Sequence, residues 1–142
     1  MIVCDTGGLL AAYDRASRQH QAAAETLAAD PGPWLLPPLV LAEFDYLLLE
    51  RFGLAVEQSV LPQLTAGKFS IGDIGDSDLE AAIAVTARYR DLKIGLTDAS
   101  IAVLAARHRT TRLLTLDERH FRAITPLDGQ VAFTLLPADR PR

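Results

Sequence analysis

Residues 95–121 read GLTDASIAVLAARHRTTRLLTLDERHF, and this stretch decides the architecture. Ile101, Leu104 and Ala105 recur at helical spacing, and a Thr-Asp pair stands where such a helix would open, at Thr97 or Asp98. RLLTL (112–116) is a short apolar run and reads as a strand that ends on Asp117. From Asp98 the helix runs about 11 residues, or ~16 Å at 1.5 Å each. The strand comes back roughly 16 Å at ~3.3 Å per residue. Because the two lengths match, Asp98 and Asp117 are expected at one edge of a sheet.

The rest of the chain repeats this alternation. MIVC (1–4) runs straight into Asp5, and further β-like runs lie at 34–37, 69–72 and 131–136. The alanine-rich segment 8–29 reads as two short helices broken near Ser17, with Asp14 and Ser17 as candidate caps. Residues 38–52 follow a double proline, carry a stripe through Leu41, Phe44, Leu48 and Phe52, and stop at Gly53. A weaker helix over 54–66 is interrupted by Pro62. The triplet 76–78 caps a helix to about Arg90, with Leu79, Ala82 and Ile83 facing inward. Short apolar strands between helices indicate a single α/β domain over 1–136 with a mainly parallel five-stranded sheet, and residues 137–142 read as a C-terminal tail.

The 142 residues include 49% apolar and 23% charged side chains, an ordinary globular composition. A single cysteine, Cys4, excludes an internal disulfide and suits a reducing compartment. The apolar start lacks a basic flank and is broken at once by Asp5, so it does not read as a signal peptide. The stretch WLLPPLVLA (34–42) is half a membrane span and holds two prolines. The expected location is the cytoplasm. Net charge is −4, but residues 88–122 hold seven Arg and Lys93 against four acids, so that segment is +4 and the remainder −8. Such a segment either presents arginines to phosphate beside an acidic pocket or covers solvated helix surfaces.

In parallel sheets the functional crevice lies beyond the carboxyl ends of the strands. Asp5, Asp98 and Asp117 are placed there, and Glu43 sits in the second turn of the helix after WLLP. Two carboxylates ~4 Å apart repel by about 4 kcal/mol at an effective dielectric of 20. A shared acidic pocket therefore calls for protonation or a divalent cation, and an all-oxygen donor set favours Mg²⁺ or Mn²⁺ over zinc. Each acid also has a simpler reading. Asp5 and Asp117 could cap the helices that follow them, Asp98 could complement a helix dipole, and Glu43 could be a solvated helix residue.

IVCDTGGLLA, LAEFDYLL, GLTDASIAVLAAR and LLTLDERHF together resemble a PIN-domain ribonuclease, most like the VapC toxins of bacterial toxin–antitoxin systems. The resemblance spans nearly the whole chain, in order. It implies that Asp5, Glu43, Asp98 and Asp117 form a catalytic quartet that binds Mg²⁺ or Mn²⁺ and activates water for phosphodiester cleavage. Thr6 matches the hydroxyl residue after the first aspartate, with Thr97 a further supporting hydroxyl. The family often carries Ser or Asn at the next position, where this chain has Gly7. The resemblance further implies a homodimer, RNA as substrate (commonly tRNA or rRNA) and a VapB-like antitoxin whose C-terminal segment fills the acidic groove.

Arg119 and His120 follow Asp117 and are candidates for RNA contact, against a solvated helix start. His20, His108 and His120 show no metal-site spacing. Arg107, His108, Arg109 and Arg112 cluster at a helix end, where cations favour the dipole whatever the function. Trp34 and Phe44 read as core or dimer contacts, and Cys4 as an inert buried thiol. A receiver-type phosphoacceptor module would need a lysine near the pocket, which the C-terminal strands lack. A haloacid-dehalogenase-like phosphatase would need an aspartate where Gly7 stands. A catalytically idle PIN scaffold that binds a partner is the remaining alternative.

Overall fold

The structure, a computed structural model, describes residues 1–140. Five strands, β1 (Ile2–Cys4), β2 (Trp34–Leu36), β3 (Phe69–Ile71), β4 (Arg112–Leu114) and β5 (Thr134–Leu136), form one sheet in the order β3-β2-β1-β4-β5. Every pairing is parallel, and Val3 of the central strand lies opposite both Leu35 and Leu113. Each strand is shorter than its apolar run. β4, for example, ends at Leu114, although Thr115 N–H still bonds the Leu136 carbonyl of β5 at 3.0 Å.

The helices are α1 (Thr6–Tyr13), α2 (His20–Ala29), α3 (Pro38–Phe52), α4 (Leu54–Val60), α5 (Gln63–Ala66), α6 (Asp76–Arg88), α7 (Leu96–Arg107) and α8 (Glu118–Ala123). A 3-10 turn at Arg90–Leu92 joins α6 to α7. The break at 14–19 is a turn. Asp14 Oδ1 accepts from Ala16 N–H and Ser17 Oγ from Gln19 N–H, so the two residues shape the turn, and Gln19 is the N-cap of α2. Helix α7 is buried along most of its length, which its Ala, Ile, Val and Leu content allows.

Two expectations for the helices change. In α6 the buried residues are Ala82 and Val85, whereas Leu79 and Ile83 are 39% and 51% exposed. This helix packs on α7, so only a narrow stripe is covered. Helix α7 starts at Leu96 with Gly95 as its N-cap, so Thr97 is not the cap; its carbonyl accepts from the Ser100 hydroxyl.

The amino edge of the sheet is tied by Asp30, which is buried. Its Oδ2 accepts from Arg112 Nη1 at 2.7 Å, its Oδ1 from Gly32 N–H at 2.8 Å, and its carbonyl from Lys68 Nζ at 2.8 Å. One residue thus joins the end of α2 to the starts of β3 and β4. Burial pushes the Asp30 carboxyl up, but the Gly32 and Arg112 hydrogen bonds outweigh it and hold the group below the ordinary carboxylate range. Arg107 bonds Asp73 and Asp78 at 2.7 and 2.6 Å, fastening the end of α7 to the start of α6. Arg107 and Arg112 of the basic cluster therefore hold the fold together.

Residues 137–140 make specific contacts. Asp139 accepts from Arg122 and from Leu135 N–H, and Arg140 pairs with Glu25. Pro141 and Arg142 lie outside the described residues. Cys4 is fully buried, and burial pushes its thiol far above the usual range, which keeps it inert. None of the described helices is long and apolar enough to cross a membrane.

Candidate functional site

The strand order reverses direction at β1 and β4, and the crevice beyond their carboxyl ends is where ligands bind in such sheets. Asp5 follows β1 and is the N-cap of α1; Asp117 follows β4 and is the N-cap of α8. Asp98 lies in the first turn of α7. Three helix amino termini thus meet at this edge, and their dipoles favour negative charge there.

The capping reading of these acids is correct and incomplete, because each carboxylate divides its two oxygens. Asp5 Oδ1 accepts from Thr6 N–H at 2.7 Å, whereas Oδ2 accepts from the Thr115 hydroxyl at 2.7 Å. Asp117 Oδ1 accepts from His120 N–H at 2.9 Å, whereas Oδ2 lies 2.9 Å from His120 Nδ1. In each, one oxygen caps a helix; the other oxygen of Asp117 faces His120, and that of Asp5 is held by Thr115. Thr115 Oγ1 also accepts from Asp117 N–H at 3.0 Å, so a single hydroxyl connects the two acids.

His120, a candidate for RNA contact with no metal-site spacing in the sequence, stands among the acids. Its Nδ1 lies 2.9 Å from Asp98 Oδ2 as well as from Asp117, and its Nε2 lies 3.1 Å from the Leu92 carbonyl. A carbonyl only accepts, so Nε2 carries a proton and Nδ1 is the atom that faces the carboxylates. As an N–H, Nδ1 pairs the two acids; as a lone pair, it joins them as a ligand. The only sequence signal was the i,i+3 spacing from Asp117 on α8. The Leu92 contact crosses 28 positions and leaves no local signature.

Electrostatics mark the cluster as strained without a counter-charge. Burial pushes the Asp5 carboxyl up to about 6, against the hydrogen bonds from Thr115 and Thr6 and with the charges of Asp98 and Glu43. Burial also raises Asp98, opposed by the His120 bond and reinforced by the charges of Asp117 and Glu43. Glu43 is therefore within electrostatic reach, although its position on α3 is exposed. Among the described residues, the ion pairs of these acids are with His120 alone.

The donor set fits a divalent cation. Asp98, Asp117 and His120 each offer a ligand atom within 4.8 Å of one another. The Thr6 hydroxyl is buried at the same edge with no partner. An imidazole beside carboxylates departs from the all-oxygen set expected from sequence. Arg119 is exposed on the first turn of α8. The receiver-type alternative finds no support, since Lys68 is bound to Asp30 at the opposite edge and Asp73 to Arg107.

A parallel sheet with a carboxylate cluster at its switch point is a fold of the kind built to hold a cation at its carboxyl edge, and residues 2–125 match the PIN domain, so the chain belongs to the PIN-domain family. Within that family it is a homologue of the VapC-type ribonucleases. It is 38% identical over 136 residues to ribonuclease VapC26 of Mycobacterium tuberculosis, spanning 96% of this chain and 100% of that protein. Among solved structures, Mycobacterium tuberculosis VapC20, a sarcin–ricin-loop-cleaving toxin, matches with a TM-score of 0.77 at 18% identity, over 84% of this chain and 92% of that one. A toxin–antitoxin complex from Klebsiella pneumoniae matches with a TM-score of 0.69 at 23% identity, over 87% and 92%. At these identities the two structures speak to the fold.

Proposed function

We propose that this protein is a metal-dependent endoribonuclease, the toxin of a VapBC-type pair, acting in the cytoplasm on tRNA or rRNA. The observation that carries the reading is the meeting of Asp98, Asp117 and His120 within 4.8 Å at the carboxyl edge of the sheet, with Asp5 tied to Asp117 through the Thr115 hydroxyl. Asp5, Asp98 and Asp117, with Glu43 from α3, would hold Mg²⁺ or Mn²⁺. A bound divalent ion supplies an activated water and stabilises charge on the phosphodiester.

The chain's own groups set the geometry for this chemistry. Thr115 holds Asp5 and the start of α8 in one arrangement, and His120 keeps Asp98 and Asp117 together. Arg119 is available to the phosphate backbone as a positioning charge. A homodimer and a VapB-like antitoxin complete the proposed assembly, in line with the toxin–antitoxin complex among the structural neighbours.

The test is cleavage of structured RNA by the purified chain with Mg²⁺ or Mn²⁺, with and without chelator, alongside inducible expression in bacteria and mapping of RNA ends. Discrete new ends that vanish in Asp5→Asn and Asp98→Asn support the reading. Unchanged cleavage in both variants would sink the site assignment, and growth without cut ends would favour an idle scaffold.

A further inference from the structure

A cavity of about 320 Å³ opens beside the acidic cluster, lined by Gln19 and Ala22 of α2, Leu116, Glu118, and Pro137 and Ala138 after β5. Its remaining wall is Thr115, the residue whose hydroxyl bonds Asp5 and accepts from Asp117 N–H. Leu116 and Glu118 flank Asp117 in the chain. The cavity and the cluster are thus two sides of one short segment.

Gly7 stands between them. A Cβ at that position would lie 3.9 Å from Asp5 Oδ2 and 4.0 Å from Leu116 Cβ. Both are ordinary contact distances, so Gly7 sits directly against the Asp5 carboxylate and the Leu116 rim and keeps the surface between them free of a side chain. Leu116 is 40% exposed at this rim, unusual for a large apolar side chain next to acids.

The lining selects a class of ligand. Its charged member is the acid Glu118, which disfavours a phosphate or another anion. Ala22, Leu116, Pro137 and Ala138 give small apolar walls suited to a flat ring. Gln19 has no side-chain capping bond at the start of α2, and its amide offers both a donor and an acceptor. Proteins read single-stranded RNA by splaying bases out and bonding their edges, and here aliphatic walls would take the faces of the ring while Gln19 meets its edge. The volume lies at the lower end for small-ligand pockets. We propose that the cavity between Gln19 and Pro137 is a subsite for the nucleobase adjoining the scissile phosphate, and hence a determinant of where the RNA is cut.

The proposal rests on the ribonuclease reading, and the test separates the two. An RNA oligonucleotide spanning the mapped cut is prepared with a single abasic nucleotide at each of three positions on either side. Wild type is expected to lose about tenfold in kcat/KM at one position adjoining the cut, the scale of one apolar ring removed from water. Ala138→Trp, which fills the cavity from its exposed rim, should lose a similar factor on the parent RNA and show no further loss at that abasic position. Gln19→Ala should flatten the preference among the four bases there. Additive losses at every position, or abasic sites tolerated throughout, would overturn the subsite while cleavage itself stands. No cleavage of any RNA by wild type would overturn the nuclease reading and the subsite with it. Unaltered cleavage by Ala138→Trp together with weakened binding of a co-expressed antitoxin would reassign the cavity to a peptide and overturn the base subsite.

Discussion

The Thr115 hydroxyl donates a 2.7 Å hydrogen bond to Asp5 Oδ2 across 110 positions of sequence. It also accepts from Asp117 N–H, so it couples the ends of the two central strands. Thr115→Val removes both functions at nearly constant volume. Cleavage should fall about 10- to 100-fold, the usual cost of losing a partner that orients a metal ligand. Thr115→Ser should recover most of it. Equal activity of the valine variant in a steady-state RNA cleavage assay would refute the coupling.

Asp5→Asn should separate activity from stability. Cleavage is expected to drop on the order of 10²–10³-fold, as when a charge-stabilising group is lost. The metal-free variant should nonetheless be at least as stable as wild type at pH 7. A carboxyl raised to about 6 in the folded state costs stability as pH rises from its ordinary range near 4 through 6, and the cost is constant above that. Thermal melts of both proteins between pH 4 and 8, with chelator present, should converge at the acid end and diverge toward neutrality.

The same sign governs metal removal. Below pH 5 protonation of Asp5, whose carboxyl is raised to about 6, removes one charge from the site, whereas at pH 7.5 that charge calls for a cation. Added Mn²⁺ should raise the melting temperature more at pH 7.5 than at pH 5, and chelator should abolish cleavage without unfolding the chain. A pH-independent shift would argue against binding at these acids.

At the opposite edge, Asp30→Asn should behave in the reverse sense. The Asp30 carboxyl is held below its ordinary range, so its contribution is present above about pH 4 and lost as pH falls through the folded value. The variant should lose about 1–3 kcal/mol at pH 7, the scale of a disrupted buried hydrogen-bonded pair. Urea melts at pH 7 and pH 3 should show the difference shrinking in acid, with cleavage per folded molecule unchanged at pH 7.

Gly8→Ala tests how α1 is seated. A Cβ there would lie 2.4 Å from the Leu114 carbonyl oxygen and 2.7 Å from its carbon, main-chain atoms that cannot rotate away. Destabilisation of about 3 kcal/mol is expected in denaturant titration, at the upper end for overpacking.

The sequence made the sheet legible because each strand is an apolar run followed by a turn or cap, and because helix and strand lengths in 95–121 had to match. Asp5, Asp98 and Asp117 were legible for the same reason, since each sits where an element begins or ends. The strand lengths were not, because Thr115 and Leu116 look like strand residues until their contacts with Asp5 and the cavity are known. His120 was named only as a candidate for RNA contact, and its place between the acids was not legible because it depends on the Leu92 carbonyl and on Asp98, neither of which is near in sequence. The α6 face was misread because helical periodicity marks an apolar stripe without telling how much of it a neighbour covers. Leu79 and Ile83 fall outside the strip that α7 reaches.

The double use of the carboxylate oxygens also bears on how such a protein would lose its activity over evolutionary time. Replacing Asp5 or Asp117 by alanine removes a helix cap along with the chemistry, and the chain suffers twice. Asparagine keeps the oxygen that caps and discards the charge that binds. A lineage released from selection for cleavage, but still selected to fold, would therefore drift through Asp-to-Asn changes at positions 5 and 117 before any other. Relatives carrying asparagine at those two places are where inactive descendants of this fold should be sought.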